Sequence, residues 1–242
     1  MSAFKRLTKP RFILVYPVAI ALFWFAKTTE PSLRAGIFFV ALGEAVRLWA
    51  NGYVGDRKVN RTDASHEGRK IGKLVTTGPY AFVRHPLYFG SFLIGLGFMI
   101  IVGRPWLLLG AVPLLWAYHR KIRQEEAVLA HEAGREHVEY VRRVPAIIPT
   151  LRRYPHGEGQ WSWRGVQASR EVKTLIWVIV LIIAFYLREE FIQEHEFLEP
   201  SKMPKQVAIM ALAVVLIAID LVSELRRRMP QPSATGSSSG GR

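Results

Sequence analysis

A chain of 242 residues, half of them hydrophobic, that carries a formal net charge of +14 must keep its apolar and basic residues apart. Its isoelectric point near 10.4, without any recognisable nucleic-acid motif, directs that charge toward anionic lipid headgroups and excludes nucleic acid as a partner. Cysteine is absent, which excludes disulfides, thiolate metal sites and a cysteine nucleophile.

In chain order, Lys5, Arg6 and Lys9 precede a first apolar run over 12–26. The run ends in Phe23-Trp24-Phe25-Ala26-Lys27, which lacks a small-residue cleavage pattern, so an uncleaved anchor is expected. A second run covers 35–54, and the Gly-, Lys-, Arg- and Asp-rich stretch 51–77 reads as a loop able to close over a ligand. Runs over 87–102 and 105–118 flank a Gly103-Arg104-Pro105 hairpin. The segment 119–144 reads as a helix that carries the fourth run into the cytoplasm, interrupted at Gly134 and stopped at Pro145. Trp161, Trp163 and Trp177 flank the fifth run, 175–187, as interfacial anchors, and the sixth covers 207–221. From Met229 onward the Pro-, Gly- and Ser-rich sequence cannot support a core and is expected to be a disordered tail.

Several runs fall short of the roughly 20 residues of a full span, yet the basic residues give them a consistent topology. Four lysines and arginines precede the first run, seven lie in 51–84, eleven in 119–173 and four in 226–242. The positive-inside rule then places both termini in the cytoplasm. The expected fold is an all-α integral membrane protein of about six transmembrane helices, with a cytoplasmic cofactor pocket formed by the segments flanking the third and fourth spans. Its divisions are 1–71, two helices and a basic loop; 72–150, a catalytic core; 151–228, two further helices; and 229–242, the tail. No internal repeat suggests an inverted-repeat transporter.

Chemistry concentrates in two polar clusters, one leading into the third span and one leaving the fourth. A tight antiparallel hairpin of those spans would gather His85, Tyr80, Tyr88, Lys121, Arg120, Arg123, Glu125 and Glu126 at one membrane level, and Gly90, Gly95 and Gly97 would allow the third span close backbone approach to a neighbour. Pro86 suits a first helical position, where free amides would face a ligand anion. Of seven histidines only His131 and His137 are close in sequence, and six residues turn a helix by about 600°. No catalytic metal is expected.

The stretch Gly78-Pro79-Tyr80-Ala81-Phe82-Val83-Arg84-His85-Pro86-Leu87-Tyr88-Phe89-Gly90 is followed by Glu125-Glu126-x-x-Leu129, then by Gly134, Tyr140 and Val144-Pro145. In order and spacing this resembles the isoprenylcysteine carboxyl methyltransferase family, itself similar to membrane phospholipid methyltransferases, over about residues 72–149. The resemblance implies S-adenosylmethionine as methyl donor, in a cavity lined by Lys73, Leu74, Val75, Tyr80, His85, Pro86, Leu87, Tyr88 and Glu125. The family's substrate-contacting arginine, four residues before that glutamate, is Lys121 here, and Gly72 replaces a polar residue or histidine. Lys121, with Arg120 and Arg123, is expected to position the acceptor.

A sulfonium donor needs a carboxylate and aromatic faces for its cation and donors for its carboxylate, and these residue types supply them. A carboxylate acceptor needs no general base because it is already ionised at neutral pH; an amine acceptor would need one, such as Glu126 or His119. The reading is carboxyl O-methylation of a lipid-linked, isoprenylcysteine-like acceptor, with phospholipid N-methylation as the alternative. A membrane nicotinamide-dependent reductase shares a motif similar to Arg84-His85-Pro86-x-Tyr88-x-Gly90, although Leu87 and Ser91 depart from it. A non-catalytic lipid-binding protein would retain the topology without the His85 and Glu125 constellation.

Overall fold

The computed structural model describes residues 22–54, 74–155, 157, 159–169, 171–193 and 200–228. Most of the first run, the greater part of the basic loop with Lys73, and the expected tail lie outside these residues. Every regular element among the described residues is helical: α1 (Glu30–Val54), a 3₁₀ turn (Gly78–Ala81), α2 (Pro86–Val102), a 3₁₀ turn (Pro105–Gly110), α3 (Ala111–Arg143), the short α4 (Trp163–Ala168), α5 (Glu171–Arg188) running into a π-turn (Glu189–Gln193), and α6 (Met203–Arg228).

The most extensive helix pairing joins α1 to α2. Four glycines make it: a Cβ added at Gly97 would sit 2.6 Å from the carbonyl oxygen of Gly36, and one at Gly43 would sit 2.6 Å from that of Gly90. Because Gly36 faces Gly97 and Gly43 faces Gly90, the two helices are antiparallel and their backbones touch. The close approach to a neighbour that Gly90 and Gly97 allow is therefore made with the second run, in α1. α2 ends on Gly103 at φ 65°, where a Cβ would sit 2.1 Å from the Lys27 carbonyl oxygen.

Two buried clusters anchor opposite ends. Ala26, Leu33, Val40, Ile101, Val102 and Phe185 tie α1, α2 and α5 together at one end. Ala81, Tyr140, Val144 and Tyr154 form the other, where the chain after α3 returns over the motif segment. The amides of Arg84 and His85 donate to the carbonyls of Pro145 and Ala146 at 2.9 and 3.0 Å, and those of Thr150 and Tyr154 donate to Phe82 and Ala81. α3 runs unbroken through Gly134 to Arg143; one glycine costs a helix only about 1 kcal/mol against alanine, too little to stop a turn flanked by strong helix formers.

Among the described residues one helix, over Met203–Leu225 with mean hydropathy 2.4, is long and apolar enough to cross a membrane, and Pro86–Val102 is apolar but shorter. The expected count of about six spans goes beyond this. The second and fifth runs fall short because their helices contain Glu44 and Arg47, and Glu171, Lys173 and Arg188. α6 exposes Val207, Val214, Val215, Leu221 and Leu225, an apolar surface suited to lipid.

Candidate active site

The motif segment enters α2 with Pro86 in its first turn and His85 at the N-cap, where the imidazole makes no capping bond. The amides of Tyr88 and Phe89 both donate to the His85 carbonyl at 3.1 Å, which leaves Leu87 as the open first-turn amide and narrows the anion site expected there. The His85 ring turns instead toward α3. Its Nε2 lies 3.2 Å from Glu126 Oε1 and its Nδ1 lies 3.8 Å from Glu125 Oε2.

Glu125 is 2% exposed and accepts a short hydrogen bond from the Tyr88 hydroxyl. Burial pushes its carboxyl above the ordinary 4.5, opposed by the Tyr88 bond and by the charges of His85 and Lys121. Glu126 shifts the other way: its bond with His85, then the Arg84 charge, hold it below 4.5. Arg84 Nη2 pairs with Glu126 Oε1 at 3.0 Å, while its buried Nε and Nη1 have no hydrogen-bond partner among the described residues. The Tyr140 hydroxyl donates to the Tyr80 carbonyl at 2.6 Å. Burial raises both phenols, so each stays protonated.

These groups wall a cavity of about 310 Å³, within the size range of small-ligand sites. Leu74, Val75, Tyr80, His85, Pro86, Leu87, Tyr88, Lys121 and Glu125 all line it; Lys73 lies outside the described residues. Arg120 and Arg123 are exposed and do not line it, and the Arg120 guanidinium sits 4.9 Å over the Trp116 ring. Helix geometry explains the difference. Lys121 stands four residues before Glu125 and shares its face, whereas Arg120 and Arg123 are rotated about 100° and 160° from Lys121.

The lining also holds residues that the sequence reading did not assign to the pocket: Arg84, Leu129 and Tyr140 from the motifs, His137, and, on the far wall, Arg47, Asn51, Ser91, Ser169 and Glu171. His137 is buried, and burial lowers it below the ordinary 6.5 against the pull of Glu126. Arg47 donates to both carboxylate oxygens of Glu171 at 2.6 and 2.9 Å and to the Ser91 hydroxyl. Asn51 donates to Glu171 Oε2 at 2.9 Å. An arginine inside an apolar run was the available signal, since an ionisable residue at membrane depth is a functional candidate by default. Among the described residues no group of histidine and carboxylate side chains could hold a metal.

Residues 31–134 match the family model of phospholipid methyltransferases, a span that takes in α1 from its second residue and the motif residues as far as Gly134. The chain is 32% identical over 180 residues, 72% of its own length and 76% of the relative's, to the cobalt-zinc-cadmium resistance protein CzcN of Cupriavidus metallidurans. It is 30% identical over 151 residues to the human protein-S-isoprenylcysteine O-methyltransferase, covering 57% of this chain and 52% of that one. The B form of that enzyme in Arabidopsis thaliana is 30% identical over 115 residues, 47% of this chain and 57% of the relative. The chain thus spans about half the length of the isoprenylcysteine enzymes it matches. No solved structure matches it with significance. Family model and isoprenylcysteine relatives alike are methyltransferases, neither reductases nor non-catalytic lipid binders. The chain belongs to the isoprenylcysteine carboxyl methyltransferase family.

Proposed function

We propose that this chain is a multi-pass membrane methyltransferase that uses S-adenosylmethionine to methylate the carboxylate of a lipid-linked, isoprenylcysteine-like acceptor. The observation that carries the reading is Glu125, almost wholly buried, bonded to Tyr88 and beside His85, at the point where the two motifs meet on one cavity wall.

The residues present fit such a cofactor. Glu125 and the Tyr80, Tyr88 and Tyr140 rings suit a cationic sulfonium, and the unpartnered Arg84 Nε and Nη1 suit its carboxylate. When bound, the cofactor supplies an electrophilic methyl group: a C–O bond to the acceptor forms as the C–S bond breaks, and the electron pair stays on sulfur. No proton moves, so the chain's residues have only to align the partners and exclude water, a contribution that can reach effective molarities of about 10⁵ M. Glu125 and Arg84 fix the cofactor end, and Lys121, on the Glu125 face of α3, holds acceptor charge. Arg120 and Arg123, turned away, act at longer range on anionic headgroups.

A second reading, N-methylation of a phospholipid amine, is favoured by His137, whose lowered pKa keeps its imidazole neutral and able to take a proton in the same cavity. Incubating the full chain with methyl-labelled cofactor and either N-acetyl-S-farnesylcysteine or phosphatidylethanolamine separates the two. Label released as methanol by mild base marks the ester and supports the first reading. Base-stable label in phosphatidylethanolamine alone contradicts it.

A further inference from the structure

Outside the cavity, the connector that follows α3 keeps an apolar surface bare. Its residues alternate between inside and outside: Val144 and Tyr154 are buried with Ala81 and Tyr140, whereas Leu151 is fully exposed and Ile148 is 78% exposed. Backbone bonds fix this arrangement. Arg84 and His85 donate to the carbonyls of Pro145 and Ala146, and Thr150 and Tyr154 donate to those of Phe82 and Ala81, all at 2.9 to 3.0 Å. A loop tied at both ends cannot turn Ile148 and Leu151 inward, so their surface stays apolar until something else covers it.

The same bonds set the height of the loop. Residues 81–85 lead directly into α2, which is apolar from Pro86 to Val102, so Ile148 and Leu151 stand where that helix would enter a bilayer. Around them the chain is basic. From 140 to 164 the sequence holds five arginines against a single glutamate, Glu158. Arg143 pairs with Glu139 at 3.1 Å; Arg142, Arg152 and Arg153 are exposed, and none of the three has an ion pair among the described residues. Apolar tips beside uncompensated arginines suit a lobe lying in the headgroup layer, where buried apolar area and attraction to anionic lipid add. A second copy of the chain, at +14, would be repelled.

We propose that this connector is a docking lobe for the cytoplasmic leaflet: Ile148 and Leu151 insert beneath the headgroups, and Arg142, Arg152 and Arg153 hold anionic phospholipid. This rests on the membrane placement proposed above and adds to it a lipid preference and a contact outside the spans. Because the amides of Arg84 and His85 hang on the same loop, docking fixes the level of that cavity wall against the leaflet.

The test exploits the absence of cysteine. Leu151→Cys in the full chain, carrying a nitrobenzoxadiazole fluorophore, is placed in nanodiscs of phosphatidylcholine with or without about a third phosphatidylglycerol. Quenching by a lipid with its doxyl group near the carbonyls is read. A Val214→Cys probe, on the exposed apolar surface of α6, reports membrane placement itself. Expected is a blue-shifted, quenched probe at 151 in the anionic discs, with quenching roughly threefold weaker in phosphatidylcholine alone. Adding Arg152→Gln and Arg153→Gln together is expected to erase that difference. A probe at 151 that stays in water in both discs, or is quenched equally in both, would overturn the lobe. So would protection that rises with protein concentration in detergent, the mark of a second copy. Quenching at 214 without quenching at 151 sinks the lobe and leaves the membrane placement standing; a probe at 214 that stays in water sinks both.

Discussion

Glu125 and Glu126 are neighbours with opposite electrostatics, and that difference makes their roles separable. Glu125 is dominated by burial and Glu126 by its bond to His85. An ionised Glu125 is what a sulfonium would meet, so cofactor affinity should be complete above the folded pKa of Glu125 and fall as pH drops through it. That midpoint lies above the ordinary 4.5. Glu125→Gln should weaken cofactor binding by about 2–4 kcal/mol, roughly 30-fold or more, and flatten its pH profile, as read by calorimetry from pH 5 to 8. A mutant that keeps the wild-type affinity and slope would remove Glu125 from the cofactor site. Glu126, with its pKa depressed, contributes stability that is present above the unfolded value and lost as pH falls through the lower folded one. Glu126→Gln should therefore reduce the acid sensitivity of thermal unfolding below pH 4.5, and an unchanged acid profile would contradict the pairing with His85 and Arg84. His85, Tyr88 and Glu125 were legible in the sequence because each sits in a compact motif. Arg47, Ser91 and Glu171 were not, because 124 residues separate Arg47 from Glu171 and only the folding of α5 against α1 brings them together.

The glycine seam between α1 and α2 carries the site as a rigid unit, since Arg47 and Ser91 project from the two helices it joins. A methyl group at Gly97 would meet the Gly36 carbonyl oxygen and Val40 Cγ2, both at 2.6 Å, and backbone cannot swing aside. Gly97→Ala should destabilise by about 1–3 kcal/mol, visible as a lower unfolding temperature in detergent. Ala41→Leu, on an exposed face of α1, should change it little, and equal melting of the two variants would refute the close approach. The apolar runs gave helix positions well, because hydrophobic length is local information. Helix partners were another matter: α2 presents glycines that fit any neighbour with small residues, and the matching Gly36 and Gly43 lie more than forty residues away. The uninterrupted length of α3 was underread at Gly134, where a single weak residue was outweighed by its flanks.

Along the sequence, basic residues gather in the connectors 51–84 and 119–173, which flank the cavity-lining segments, and apolar side chains are exposed along α6. The membrane topology this implies can be read directly, because a chain without cysteine accepts one thiol at a time. Arg152→Cys and Ser201→Cys, both at exposed positions, should react with an impermeant maleimide from opposite sides of a sealed vesicle, Arg152→Cys from the cytoplasmic side. Labelling of both from one side would contradict the alternating topology. The helical character of the chain was legible from its long apolar runs, because a segment that enters lipid must satisfy its own backbone hydrogen bonds. The far wall of the cavity was not, since Glu171 meets Arg47 only where α5 packs against α1. The most direct test of the whole account is calorimetric titration of the purified full chain with S-adenosylmethionine and S-adenosylhomocysteine, alongside the Glu125→Gln variant. Saturable binding of both ligands by the wild type, with S-adenosylmethionine weakened roughly 30-fold or more in the variant and S-adenosylhomocysteine, which lacks the sulfonium charge, weakened less, is the predicted result. A folded wild-type protein that binds neither would contradict the account.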